Sequence, residues 1–223
     1  MNDLNSQDTS DPDVQYEIGM HHLKMRGNLQ SEQEAVRWIR MAAEQGHPKA
    51  QCQLALMYYN GIVIPQSFEF EEAAKWYKRA AEGGYAEAQY QLGMLYQTGR
   101  GVKESYTDAC KWLWKAVDQD HPGAMAHLGW NYHFGQGVPQ SDEMAARLFK
   151  KSANLGDSYG QYSLGIAYKD GRGVPQSDDD AIYWLKKCVD QNGSSADFAK
   201  FELTSFALKY DIDNKYLVDD PDY

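Results

Sequence analysis

Cysteine is scarce in this chain, and its scarcity argues against a fold built on disulfides. Cys52, Cys110 and Cys188 are far apart among 223 residues and suggest no bridge framework. Long apolar runs are also missing, and no stretch approaches the ~20 residues that a membrane-spanning helix needs. The opening Met1-Asn2-Asp3-Leu4-Asn5-Ser6 has neither a basic region nor an apolar run, so no secretory signal is expected. Positive charge is short as well: 22 Lys and Arg face 32 Asp and Glu, for a formal charge of −10. An acidic chain without a basic stripe repels phosphate backbones and anionic lipid, which argues against nucleic-acid and membrane-surface binding. These absences together predict a cytoplasmic protein.

The charge is unevenly spread. Asp3, Asp8, Asp11 and Asp13 stand without a base in the first thirteen residues, and from Ala196 onward seven acids face Lys200, Lys209 and Lys215. The two ends carry −8 of the charge and the long middle only −2. That middle is periodic. Aligned on Ile18, Leu54, Leu92, Leu128 and Leu164, five repeats follow at spacings of 36, 38, 36 and 36 residues. They divide the chain at 14–49, 50–87, 88–123, 124–159 and 160–195, with a two-residue insertion near Ile64-Pro65-Gln66-Ser67-Phe68.

Each repeat holds two helical patterns. In the second, apolar or small residues recur at i, i+3, i+4, i+7 and i+8, as in Ala109, Trp112, Leu113, Ala116 and Val117. In the first, Ala88, Leu92, Leu95 and Tyr96 show the same face, and a small residue follows every anchor (Gly19, Ala55, Gly93, Gly129, Gly165), which lets the paired helix come close. Between them lie loops such as Gly135-Gln136-Gly137-Val138-Pro139, whose glycines allow left-handed turns and whose proline stops the first helix. Ser31, Ser141 and Ser177 stand where N-caps are needed, and Ser31 with Glu34 reads as a capping box. One helix pair cannot bury its stripe alone, but five stacked pairs can.

Ala88-Gln89-Tyr90-Gln91-Leu92-Gly93-Met94-Leu95-Tyr96 and Lys75-Trp76-Tyr77-Lys78-Arg79-Ala80-Ala81-Glu82-Gly83-Gly84 closely resemble the two helices of the Sel1-like repeat, a relative of the tetratricopeptide repeat. The resemblance covers Val14 to Ser195 and is weakest in the first repeat, where His22 replaces the usual tyrosine. It implies an all-α fold, a right-handed α/α superhelix of about five repeats. Residues 1–13 then form a flexible acidic segment, 196–210 a capping helix and 211–223 an acidic tail.

Catalysis is not expected. The Gly-x-Gly loops follow helices and lack the third glycine of a dinucleotide-binding fingerprint. His47-Pro48 and His121-Pro122 sit at equivalent turns, and His127 and His133 are six residues apart on one helix without carboxylate partners, so no metal site and no cofactor are predicted. A cysteine-rich branch of the resembled family, linked to β-lactam hydrolysis, pairs cysteines within each repeat. Single cysteines in three repeats do not fit it, which leaves hydrolase activity the weakest alternative. Asp178-Asp179-Asp180 reads as the acidic first turn of a helix.

The resemblance implies a binding role, with first helices lining a concave face that receives a protein or peptide. Counted from each anchor, positions −2, +2, +5 and +6 face that side and include Tyr59, Tyr90, Met94, Trp130, His133, Phe134 and Tyr162. The fourth repeat is unusually aromatic there, so Trp130, His133 and Phe134 form the main candidate site, with Trp114 of a second helix beside them. The expected function is a bacterial-type adaptor or scaffold. An immunity or antitoxin-like role is an alternative, and self-association into a homodimer is a further one.

Overall fold

Alanine-rich seams and a capping residue at nearly every turn lead to one kind of element. A computed structural model describes residues 9–24, 29–63 and 69–210, and within them the chain forms eleven helices and no strand. These are α1 (Pro12–Lys24), α2 (Leu29–Glu44), α3 (Pro48–Tyr59), α4 (Phe70–Glu82), α5 (Ala86–Thr98) and α6 (Tyr106–Val117). They continue as α7 (Pro122–Phe134), α8 (Asp142–Asn154), α9 (Ser158–Asp170), α10 (Asp178–Asp190) and α11 (Ala196–Tyr210). Odd-numbered helices up to α9 are the first helices of the repeats. The chain divides within α6 into two compact bodies, one ending at Trp112 and the other beginning at Leu113.

In the first body α1 packs on α2, α3 on α4, and α2 and α4 each on the first helix that follows. First helices bury residues at 0, +4 and +7 of a common frame: Ala50, Leu54 and Met57 in α3, then Ala88, Leu92 and Leu95 in α5. Second helices answer with Ala35, Ile39, Ala42 and Ala43 in α2 and Ala73, Tyr77, Ala80 and Ala81 in α4. The second body repeats the scheme, with α7 on α8, α9 on α10, and α9 also touching α7 and α11. Its buried seams include Ala124 and Leu128, Ala145 and Phe149, Gly160 and Leu164, and Ala181 and Leu185.

The small residue after the anchor has a steric reason. A Cβ at Gly129 would stand 2.5 Å from Phe149 Cε1, and one at Gly165 would stand 2.8 Å from Leu185 Cγ. The two glycines of the loop have different tasks. Gly171 ends α9 in a left-handed conformation (φ 67°) and returns its amide to Ala167. Gly173 (φ 69°) lies against the first turn of α8 in the preceding repeat, and a Cβ there would sit 2.0 Å from the Asp142 carbonyl oxygen. Gly101 makes the same approach to Phe70, so the second glycine packs repeat on repeat.

Helix starts and caps differ from the expectation at several points. Every first helix begins two residues before the boundary set from its anchor, because Pro48 and Pro122 occupy N1 and His47, His121 and Asp157 are the N-caps. The Nδ1 atoms of His47 and His121 accept from the amides of Ala50 and Ala124 at 2.9 and 3.1 Å. Likewise α1 starts at Pro12, so Pro12 and Asp13 are helical rather than part of a loose segment. Ser31 is not an N-cap, since α2 starts at Leu29 and places Ser31 buried inside its first turn. Ser141 and Ser177 do cap α8 and α10, and Ser105, not anticipated, caps α6 by accepting from the Asp108 amide. The inserted segment 64–68 and the tail 211–223 lie outside the described residues.

A pair of glycine substitutions separates backbone strain from steric contact. Gly156 (φ 85°) has nothing within 4 Å of a built Cβ, so Gly156→Ala is expected to cost about 1 kcal/mol. Gly173→Ala adds collision with the α8 backbone and is expected to cost at least about 3 kcal/mol. Urea unfolding measures both, and equal costs would contradict the packing role.

Candidate protein-binding face

Large side chains of the first helices that lie outside the buried seams face forward toward the next repeat. At +9 of the common frame, Tyr59 meets the following loop: its hydroxyl accepts from Arg100, whose guanidinium lies 5.6 Å from the Tyr59 ring and 5.5 Å from Phe70. His133 holds the same position in α7. Its Nδ1 is 2.5 Å from Asp142 Oδ1, and its Nε2 is 2.9 Å from Arg172 Nη1. Arginine can only donate, so Nε2 is the acceptor and Nδ1–H points at Asp142. Lys169, at +9 of α9, pairs with Glu202 of α11.

Trp130 is wedged rather than open. Its ring is stacked 6.4 Å from Tyr159, tilted 5.3 Å from Phe149 and edge-on 5.5 Å from His133. Its Nε1–H donates to Ser163 Oγ at 2.8 Å, which satisfies the indole. Phe134 stacks on the remaining side, 5.6 Å away, and is itself 60% exposed. The space beneath this cluster is about 10 Å³, bounded by Trp130, His133, Asp142, Phe149, Ser163 and Arg172, enough for roughly one water. A larger open depression of about 470 Å³ is lined by Gln176, Ser177, Asp178, Asp179 and Lys209, polar and charged side chains with no apolar wall.

The candidate residues therefore separate. Trp130, His133 and Phe134 come together, whereas Trp114 lies on Tyr132, edge-on at 6.2 Å. Tyr162 packs 6.1 Å from Phe198 of α11. Tyr90 and Met94 are half-buried on α5 in the other body, as is Tyr59 on α3. Cys52 and Ala126, also placed on the outward face by their spacing, are buried, because +2 faces the neighbouring repeat. Phe198 and Phe201, 65% and 74% exposed, escaped the sequence reading. The signal was present in the continued 0, +4, +7 spacing of Ala199, Leu203 and Phe206.

The three cysteines are buried, and burial pushes the thiols of Cys52 and Cys188 up to about 12 and about 11, so both are protonated and poorly nucleophilic at neutral pH. Among the described residues no group of three His, Cys, Asp or Glu is arranged to hold a metal. No helix there is long and apolar enough to cross a membrane.

The family model described as Sel1 repeat matches this chain five times, at 12–47, 48–85, 86–121, 122–157 and 158–192. Among solved structures, a Sel1 repeat protein from Oxalobacter formigenes is 34% identical, with TM-score 0.77, over 86% of this chain and 74% of that one. A protective antigen of uropathogenic Escherichia coli with an SLR fold is 32% identical, with TM-score 0.76, over 89% of this chain. The chain spans only 41% of that antigen's length. An immunity protein from Pseudomonas aeruginosa is 25% identical, with TM-score 0.59, over 86% of this chain and 69% of that one. No curated protein matches.

Two expectations follow from this geometry. Trp130→Ala empties a wedge between three helices and is expected to destabilise by about 3 kcal/mol in urea unfolding, while Phe134→Ala costs less than about 1 kcal/mol. Equal effects would contradict the assignment of Trp130 to packing. For His127, burial lowers the folded-state value to about 4, below the ordinary 6.5, so the unfolded chain takes up the proton first. Stability is then full above pH 6.5 and falls by roughly 1.4 kcal/mol per pH unit toward pH 4. His127→Gln should flatten this acid limb, and an unaltered slope would rule the histidine out as its cause.

Proposed function

Because the chain belongs to the Sel1 repeat family, we propose that it is a non-catalytic adaptor that captures a protein or peptide on the forward face of its first helices. Repeats of this family commonly mediate protein interaction. The observation that carries the reading to a site is Phe134, more than half exposed and stacked on a Trp130 held by three other rings and a hydrogen bond. A ring held this way loses little rotamer freedom on binding, so most of the burial it gains counts toward affinity. Arg172 and Asp142 flank it through His133 and give the apolar patch a polar rim. Small-molecule binding is disfavoured beneath the cluster, where the cavity holds about one water.

The likeness to an immunity protein supports a second reading, neutralisation of a toxin. An acidic chain suits a basic target, since opposite charge speeds encounter. Both readings place a protein on this chain and differ in what the partner loses on binding.

Affinity capture with wild type, Phe134→Ser and the second-helix control Lys150→Ala tests the site. We expect Phe134→Ser to weaken binding of the captured partner at least about tenfold, with Lys150→Ala unchanged. Undiminished binding by Phe134→Ser would overturn the site. A partner enzyme that loses its activity in the complex would favour neutralisation over an adaptor role.

A further inference from the structure

Counted from Ala35, Ala73, Ala109, Ala145 and Ala181, positions +2, +5 and +6 of the second helices each hold Lys or Arg in four of the five repeats and an acid in none. These cations are scattered along the sequence, so the chain shows no basic run, yet the repeat frame gathers them into rows. In the second body the rows hold Arg147, Lys150 and Lys151 of α8 and Lys186 and Lys187 of α10, all exposed except the half-buried Lys186. Trp184 of α10 packs against the cluster that buries Ala145, Phe149 and Ala153 of α8, which sets the two helices side by side. A helix C-terminus favours cations, which accounts for Lys151 and Lys187 in the last turns but not for Arg147 and Lys150.

The charge of this band is unanswered. In the first body Arg37, Lys75 and Lys78 hold the same rows, and each meets an acid of its own helix: Glu34 at 3.7 Å, Glu72 at 2.5 Å and Glu82 at 3.9 Å. Among the described residues no carboxylate pairs with Arg147, Lys150, Lys151 or Lys187. Lys187 instead lies over the rings of Tyr183 and Trp184, 4.9 and 5.5 Å from their centres.

We propose that the band docks an extended acidic segment of a partner protein, running across α8 and α10. Its width selects the occupant. From Arg147 to Lys151 the band is only about 6 Å wide along the helix. Exposed acids border it on both sides, Glu143 and Asp179 before it and Asp190 after it. A bilayer surface or a nucleic-acid duplex is broad enough to lie over those acids as well and is repelled by them. A second copy laid antiparallel on the same face sets cation against cation. One extended chain fits between the acid rows. Single-stranded nucleic acid is as narrow, but it draws affinity from bases stacked on open rings, and here Lys187 lies over both rings. The occupant is separate from any partner at Phe134, because the band lies on the second helices.

Fluorescence anisotropy of labelled hexaglutamate, titrated with the full chain at low salt, tests the site. Wild type is expected to bind it, and Lys150→Gln/Lys151→Gln/Lys187→Gln to bind at least about tenfold more weakly. Arg37→Gln/Lys75→Gln/Lys78→Gln removes the same charge from the paired rows and should change binding less than about twofold. All six side chains are exposed, so circular dichroism should show unchanged helix content in both variants. No binding by wild type, or equal loss in the two variants, would overturn the proposal. Tighter binding of labelled oligothymidylate, or of phosphatidylserine vesicles, would overturn it in favour of nucleic acid or a membrane surface.

Discussion

How near the two helices of a repeat can come determines the rest of this molecule. At Gly129 and Gly165 the partner helix lies so close that a single added carbon would collide with Phe149 or Leu185. The seam therefore mixes small residues such as Ala42, Ala43, Ala80 and Ala81 with large ones such as Ile39, Tyr77, Phe149 and Leu185, which pack where the facing residue is small. Alanine seams bury little area per residue, at roughly 25 cal/mol per Å². Large side chains of the first helices add contact between successive repeats, as Trp130 does with Tyr159 and Ser163.

This division of labour puts the candidate binding residues and the packing residues on the same helices. Tyr59, His133 and Lys169 occupy one position of the frame; the first two hold an arginine of the following repeat and Lys169 holds Glu202 of α11. Trp130 likewise reaches Tyr159 and Ser163 of the next first helix. What this network leaves uncovered in α7 is Phe134.

The fold was legible because its constraints are local and repeated. Glycines after the anchors, Gly-x-Gly loops and serines before acidic turns each appear several times in register. The first helices start two residues before the boundaries counted from the anchors, because the caps His47, His121 and Asp157 stand seven residues before the anchors Leu54, Leu128 and Leu164. Gln51 and Gln89 carry a signal that was passed over: each donates to a last-turn carbonyl of the preceding second helix, Ala43 and Ala81. The site was half legible. An excess of aromatics pointed to α7, but spacing alone could not tell Trp130, filled in by its neighbours, from Phe134, left exposed.

The most direct measurement is a hydrogen-exchange footprint of the chain in complex with its captured partner. The account predicts new protection in Pro122–Phe134 and Ser158–Asp170, the first helices around Phe134, with Asp142–Asn154 unchanged. Protection confined to Asp142–Asn154 and Asp178–Asp190, the second helices, would contradict it.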